Sequence, residues 1–315
     1  MRVIFMGTPD FAVPALRALA QAGYNLVAVV TQPDRPKGRG KKNTSPPVKE
    51  AAVSLKIPIF QPAKIKDPDF IRALRDLSPD VIVVVAYGRI LPKGILELPG
   101  YGCINVHASL LPKYRGAAPI HWAVINGEKM TGITTMFMDE GLDTGDMILR
   151  EAVPIQDDDN VGALHDRLAV LGAELLIKTL SLLRRGRAAR LPQTGESSFA
   201  PMLRAEDELI FWDRAAGDIY NQIRGMNPWP GARTTLHGKV LKIWRAELLE
   251  GNGSAFIPGQ IISAGSDGII VQAGKGRLKI SELQLQGAKR LYSSEFLRGT
   301  PLARGTVLGD ILQTS

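Results

Sequence analysis

Residues 102–119 read GCINVHASLLPKYRGAAP, and the fold is worked out from this stretch. Its first half, Cys103-Ile-Asn-Val-His107, alternates apolar and polar residues, which predicts a short strand carrying Asn105 and His107 on one face. Pro112 and Gly116 then punctuate a turn and a loop rather than continuing the strand. An amide and an imidazole two residues apart therefore project from the end of a sheet strand, where open α/β sheets bind ligands. A single strand histidine is more often a satisfied core group than a catalyst. The pair says more: Asn can donate an N–H to a developing oxyanion, and His exchanges a proton near neutral pH. Together they suit transfer of an acyl group to an amine. Cys103 is expected to face away from both and to play no nucleophilic part.

The neighbouring stretches read as an α/β layer. Asp80–Ala86 is DVIVVVA, a continuous β-branched run that fits a parallel strand buried on both faces. At the start of the chain, Arg2–Met6 predicts a strand, Phe11–Gln21 a helix and Asn25–Thr31 a second strand, a Rossmann-like βαβ opening. After Gly7 the spacing G-x-G-x-x-G is absent, so no dinucleotide is expected. Asp67 suits the N-cap of a helix to Leu77. Further helices are expected over Val48–Leu55, Ala117–Asn126 and from Gln156–Asn160 to Leu183, with strands over Gly132–Met138 and Met147–Ile155. The expected fold class is α/β, a Rossmann-like, mostly parallel sheet with helices on both faces.

Two loops carry charge. Gln32–Pro47 holds four prolines and two glycines and is expected to lack regular structure. Its Arg35, Lys37, Arg39, Lys41 and Lys42 come with no acid among them, a pattern that fits phosphate contact. Residues 139–146, DEGLDTGD, offer four carboxylates in eight residues. No EF-hand spacing is present, so a metal is not expected; one carboxylate orienting His107 is the better reading. Residue chemistry alone leaves Asp139, Asp143 and Asp146 equal.

Beyond a loop at Leu191–Arg204, Asp218–Arg224 suits a helix. Five short strands then recur between turn signals, at Gly231–Leu236, Val240–Glu247, Gly259–Ala264, Gly268–Gln272 and Arg277–Leu285, the pattern of a small barrel or sandwich. The expected organisation is a catalytic domain over 1–190, a linker over 191–205 and a second domain over 206–315. From Tyr220 to Ser315 there are twelve basic residues against six acidic ones, within a chain of net charge +8. Two basic regions in one chain favour a large anionic ligand. The MNPWPG segment at 226–231 is expected to be a rigid turn that packs Trp229. One cysteine excludes an intramolecular disulfide and fits a reducing compartment. Neither a leader segment nor a membrane span is expected, because Gly7 interrupts the opening before any long apolar run.

The segment INVHASLLPKYRGAAPI resembles the signature of the folate-dependent formyltransferases. IFMGTPDFAVPAL at 4–16, TQPDRPKGRGKK at 31–42, VVAYGRILP at 84–92, MDEGLDTGDM at 138–147 and NPWPGA at 227–232 extend the likeness through most of the chain. The resemblance implies formyl transfer from 10-formyltetrahydrofolate, as a co-substrate and without a metal, to the α-amino group of methionine on initiator tRNA. It implies catalysis by Asn105, His107 and Asp143, with Asp143 as the orienting carboxylate. It places the folate against Arg89, Ile90 and Leu91 and against Ser109, Leu110, Leu111 and Pro112. It makes Arg35, Arg39, Lys41 and Lys42 contacts to the tRNA acceptor stem, with Arg39 favoured, and the second domain an OB-like barrel. Lys113 and Arg115 are open between the folate tail and the tRNA 3′ end. The further expectations are a monomer, action in the cytoplasm and a role in translation initiation. The same core chemistry would serve an amino-sugar nucleotide or another small amine, or hydrolysis of the formyl-folate. A nucleic-acid-binding protein with a decayed enzyme domain is a different class, and the intact Asn105, His107 and Asp143 argue against it.

Overall fold

The computed structural model describes residues 1–37, 42–249 and 256–309. The chain divides into two compact units.

The first unit is built on a seven-stranded sheet. Its elements are β1 (Arg2–Gly7), α1 (Val13–Gln21), β2 (Asn25–Val30), β3 (Arg35–Lys37), β4 (Lys42–Thr44), α2 (Pro47–Ser54), β5 (Ile59–Phe60), α3 (Pro68–Asp76), β6 (Val81–Val85), α4 (Lys93–Leu96), β7 (Cys103–His107), β8 (Met130–Phe137) and β9 (Met147–Pro154). Two helices, α5 (Pro119–Ile125) and α6 (Val161–Arg184), contain residues of both units. The strand order is β5-β2-β1-β6-β7-β8-β9. The first five run parallel; β8 is antiparallel to β7, and β9 is antiparallel to β8.

The β-branched run of β6 is buried at all five positions, as a central parallel strand requires. Ile4, Met6, Val30, Ile82 and Val84 build one face of the core together with Leu74, Ile95 and Tyr87. Asp67 caps α3, its Oδ1 accepting from the Asp69 N–H at 3.0 Å. Gly7 ends β1 where a Cβ would lie 2.9 Å from the Val85 carbonyl and 2.8 Å from Ala12, so the chain can turn there only without a side chain.

The 32–47 stretch departs from expectation. It contains a short antiparallel hairpin in which β3 pairs with β4 through Arg35↔Thr44, Pro36↔Asn43 and Lys37↔Lys42. A two-stranded ribbon is all edge, so a proline that lacks an N–H can be accommodated in it. Arg39 and Lys41 lie outside the described residues.

The second unit holds an antiparallel sheet of order β10-β11-β14-β13-β12, with β15 beside β14. Its strands are β10 (Ala232–Leu236), β11 (Lys239–Leu249), β12 (Ile261–Gly265), β13 (Gly268–Gln272), β14 (Arg277–Leu285) and β15 (Leu291–Tyr292); its helices are α7 (Ala216–Gly225) and α8 (Ser293–Gly299). The five strands expected from turn spacing are all present; β15 and α8 were not anticipated. His237 and Gly238 form the two-residue turn between β10 and β11 with φ of +48° and +70°, the left-handed pair that such hairpins need. The segment 305–309 hydrogen-bonds to β12 through Ile261 and to β10 through Thr235, and so joins the two ends of the sheet. Ile219, Ile243, Val271, Leu278 and Ile280 fill the interior.

Trp229 does not pack as expected. It is 65% exposed and meets His121 edge-on, with ring centroids 6.3 Å apart.

Candidate active site

β7 sits between β6 and β8, in register Val84↔Asn105 and His107↔Thr134. The loop after β6 leaves beside the end of β7, whereas antiparallel β8 ends beside Cys103 and Ile104, so its loop runs back along β7 to bring Asp143 to Asn105 and His107. The carboxylate that closes the site is Asp143. Its Oδ1 accepts from Asn105 Nδ2 at 3.3 Å, and its Oδ2 accepts from the Gly116 N–H at 2.9 Å. Oδ2 also lies 3.7 Å from His107 Nδ1. The other two aspartates of the loop are engaged elsewhere. Asp139 caps its own turn, accepting from Gly141 N at 3.0 Å and Thr144 Oγ1 at 2.7 Å. Asp146 pairs with Arg190 at 3.4 Å. Among the described residues, no group of three His, Cys, Asp or Glu could hold a metal ion.

These bonds fix orientations that residue names alone leave open. Asp143 accepts only, so the Asn105 amide must turn its NH2 toward it. The second Asn105 N–H has no partner among the described residues and is available to an incoming oxygen. His107 is buried, and its Nε2 donates to the Tyr114 carbonyl at 2.9 Å. The hydrogen therefore sits on Nε2, which leaves Nδ1 as the basic nitrogen, facing Asp143.

The turn after β7 is braced from below. Thr134 Oγ1 donates to the Ser109 carbonyl at 2.7 Å and accepts from Leu111 N at 3.2 Å. Arg150 donates to the Leu111 carbonyl at 3.0 Å, and Ser109 Oγ donates to the Lys113 carbonyl at 2.6 Å. Ser109 and Leu111 are fully buried, so these residues shape the turn rather than present side chains to a ligand. Leu91 is buried too, while Ile90 is 74% exposed. Arg89 donates to the Ala63 carbonyl at 2.9 Å, which ties the loop to the 62–63 segment.

One correction and two placements bear on the site. Cys103 has the same parity as Asn105 and His107, so regular alternation sets it on their face, not the opposite one. Burial removes it from the chemistry instead: it is 2% exposed in the core cluster, and desolvation pushes its thiol up to about 12. Arg115, left open between two ligands, donates through Nε and Nη2 to Gln193 Oε1, at 3.0 and 2.7 Å. Residues 191–201, expected to lie in a linker, belong to the first compact unit. They pair with the start of β9, Leu191 with Met147, and with the loop after β7, Phe199 with Arg115. The Tyr114 carbonyl, the Gly116 N–H and Gln193 are site groups that the sequence did not single out. Only Gly116 left a trace, as a loop glycine.

A Rossmann-like sheet with an amide, an imidazole and a carboxylate at the end of a central strand defines a class. The chain belongs to the formyl transferase family: the formyl transferase description matches residues 1–180, and that of its C-terminal domain residues 202–301. Within the family it stands with the methionyl-tRNA formyltransferases. That of Pelotomaculum thermopropionicum is 68% identical over 310 residues, 98% of this chain and 99% of the relative. That of Desulforamulus reducens is 56% identical over 98% of each. Among solved structures, the sugar 3N-formyl transferase WlaRD superposes with a TM-score of 0.64 at 20% identity, over 92% of this chain and 99% of its own. A methionyl-tRNA formyltransferase from Clostridium thermocellum superposes with a TM-score of 0.56 at 19% identity, over 80% and 95%. At these identities the structures bear on the fold alone.

Proposed function

We propose that the chain transfers the formyl group of 10-formyltetrahydrofolate to the α-amino group of methionyl initiator tRNA, at Asn105, His107 and Asp143. The observation that carries this reading is the Asp143 carboxylate, which faces the amide of Asn105 and the imidazole of His107 at once. The relatives at 56% and 68% identity over almost the whole chain carry the choice of acceptor.

The amine attacks the formyl carbon as the free base. A free α-amino group titrates near 7.7–8.0, so a base of near-neutral strength is well matched to it. The free N–H of Asn105 donates to the oxygen on which charge collects. His107 Nδ1 takes the proton of the attacking amine, and Asp143 stabilises the charge that appears on the ring. The proton then passes to the departing folate nitrogen. No covalent intermediate with the protein is needed.

For the folate, the exposed apolar side chains of Ile90 and Leu142 stand on the loops that flank β7 and offer surface to a flat ring. Arg89, Leu91, Ser109, Leu110, Leu111 and Pro112 set the backbone on either side. For the tRNA, Arg35 stands exposed on β3, with Arg39, Lys41 and Lys42 following it in the chain. Asp34, next to Arg35 in the chain, accepts from Gln61 and Lys49, whose bonds hold its carboxyl below the usual range. We place the reaction in the cytoplasm, where translation begins.

The test supplies purified protein with 10-formyltetrahydrofolate and methionylated initiator or elongator tRNA. Formylation of the initiator alone supports the reading. Folate turnover without formyl-methionyl-tRNA overturns it.

A further inference from the structure

The residues between the long helix α6 and the second unit act as a strap across the site. Leu191 and Met147 exchange backbone bonds of 2.8 and 2.9 Å. Seven to nine residues on, the Ser198 carbonyl accepts from Arg115 N at 2.9 Å, Ala200 N donates to the Arg115 carbonyl at 2.7 Å, and Ser198 Oγ accepts from Tyr114 N at 2.9 Å. One end of the strap thus pairs with the first residue of β9, where the loop of Asp143 ends. The other holds the loop that gives the Tyr114 carbonyl to His107 and the Gly116 N–H to Asp143.

Gln193 lies between those ends, and its side chain spends its full capacity there. Nε2 donates to the Asp143 carbonyl at 2.8 Å and to the Gly145 carbonyl at 2.9 Å. Oε1 accepts twice from the Arg115 guanidinium, at 3.0 and 2.7 Å. Two carbonyls and one cation leave the carboxamide a single orientation. The residue it grips is strained: Asp143 has φ +53°, a conformation that non-glycine residues hold only where their surroundings over-determine it. Gly145, two residues on, has no room for a Cβ against the Phe137 carbonyl. The neighbours Pro192 and Thr194 are exposed, so the segment is not held here by packing.

We propose that Gln193 is a positioning residue for formyl transfer: bonded to Arg115 on one side and to the Asp143 and Gly145 carbonyls on the other, it fixes the turn that aims the Asp143 carboxylate at His107 and Asn105. The inference rests on the proposed formyl transfer. A carboxylate moved by about 1 Å loses on the order of a hundredfold in rate when geometry is the whole of its contribution.

The test is a double-mutant cycle on the full chain, with Gln193→Ala and Gln193→Glu each made alone and with Asp143→Asn. Gln193→Glu keeps the acceptor for Arg115 and removes both donors. Single-turnover formylation, KM for each substrate and thermal midpoints are read for every variant. In the Asp143-intact chain, both Gln193 variants are expected to lower the rate tenfold or more, to about a hundredfold. Their KM values should stay within about threefold of the parent, and in the Asp143→Asn background the loss should shrink to about threefold or less. Equal loss in both backgrounds, or a loss that follows the thermal midpoint alone, assigns Gln193 a merely structural role and overturns the proposal, as does an unchanged rate. An unsubstituted chain that forms no formyl-methionyl-tRNA overturns the acceptor instead; the cycle is then read on formyl-folate turnover, where the same coupling is expected.

Discussion

Asp143 Oδ2 lies 3.7 Å from His107 Nδ1, and its second oxygen takes the amide of Asn105 at 3.3 Å. One carboxylate therefore faces both the imidazole and the amide to which the proposed function gives the roles of proton acceptor and oxyanion donor. Asp143→Asn removes the charge and turns one of the two acceptors into a donor. Loss of kcat by about 10²- to 10⁴-fold with little change in KM is expected, the range for losing the orienting carboxylate of a catalytic set. Asp139→Asn and Asp146→Asn, in the same loop but facing Thr144 and Arg190, should stay within about threefold of the parent. Equal losses for all three would mean that the loop matters only as a whole.

Burial of Cys103 has a consequence for stability. An exposed thiol ionises near 8.5, whereas this one is pushed up to about 12. The folded chain keeps the neutral thiol where the unfolded chain ionises. The contribution is thus full below about pH 9 and lost as pH rises toward 12. In that window it amounts to about 1.4 kcal/mol of stability per pH unit. Urea unfolding of the parent and of Cys103→Ala at pH 8 and pH 10 should show a steeper alkaline fall in the parent. Parallel falls would mean that the thiol ionises in the folded chain.

Much of the fold was legible because its signals are local. The all-apolar VIVVV of β6, the alternation of β7 and the Asp67 cap need only neighbours in the chain. The placement of Asn105 and His107 on one strand was legible for the same reason, since they are two residues apart near its end. The choice of Asp143 over Asp139 and Asp146 was not, because it depends on which side chain the turn aims inward. That aim is set by Gly116 and Gln193, 27 and 50 residues away in sequence. The β3–β4 hairpin was missed because prolines and glycines read as breakers even where a two-stranded ribbon tolerates them. Trp229 was expected to be packed on residue type alone.

Gly132 lies in β8 directly against the next strand. A Cβ there would meet the Glu151 carbonyl of the paired strand, a backbone group that cannot turn aside as the Leu110 side chain can. Gly132→Ala should destabilise the chain by about 1–3 kcal/mol, the usual range for overpacking. A lower urea midpoint at unchanged slope checks it; an unchanged midpoint would show that the strands can part.

Arg35 stands exposed on β3 and, among the described residues, donates to Gln32 Oε1 at 2.8 Å. If it meets a tRNA phosphate, Arg35→Ala should raise KM for tRNA several-fold, leave kcat alone, and lower the slope of log K against log salt by about 1. An unchanged salt slope would remove Arg35 from the interface.

The most direct measurement is single-turnover formylation of methionyl initiator tRNA by the unsubstituted chain and by Asn105→Ala. Losing one oxyanion donor should slow the chemical step about 10²- to 10³-fold, or about 2.7–4 kcal/mol, while both substrates still bind. A variant as fast as the parent, or one that fails only because folate no longer binds, would contradict transfer at the Asn105–His107–Asp143 site.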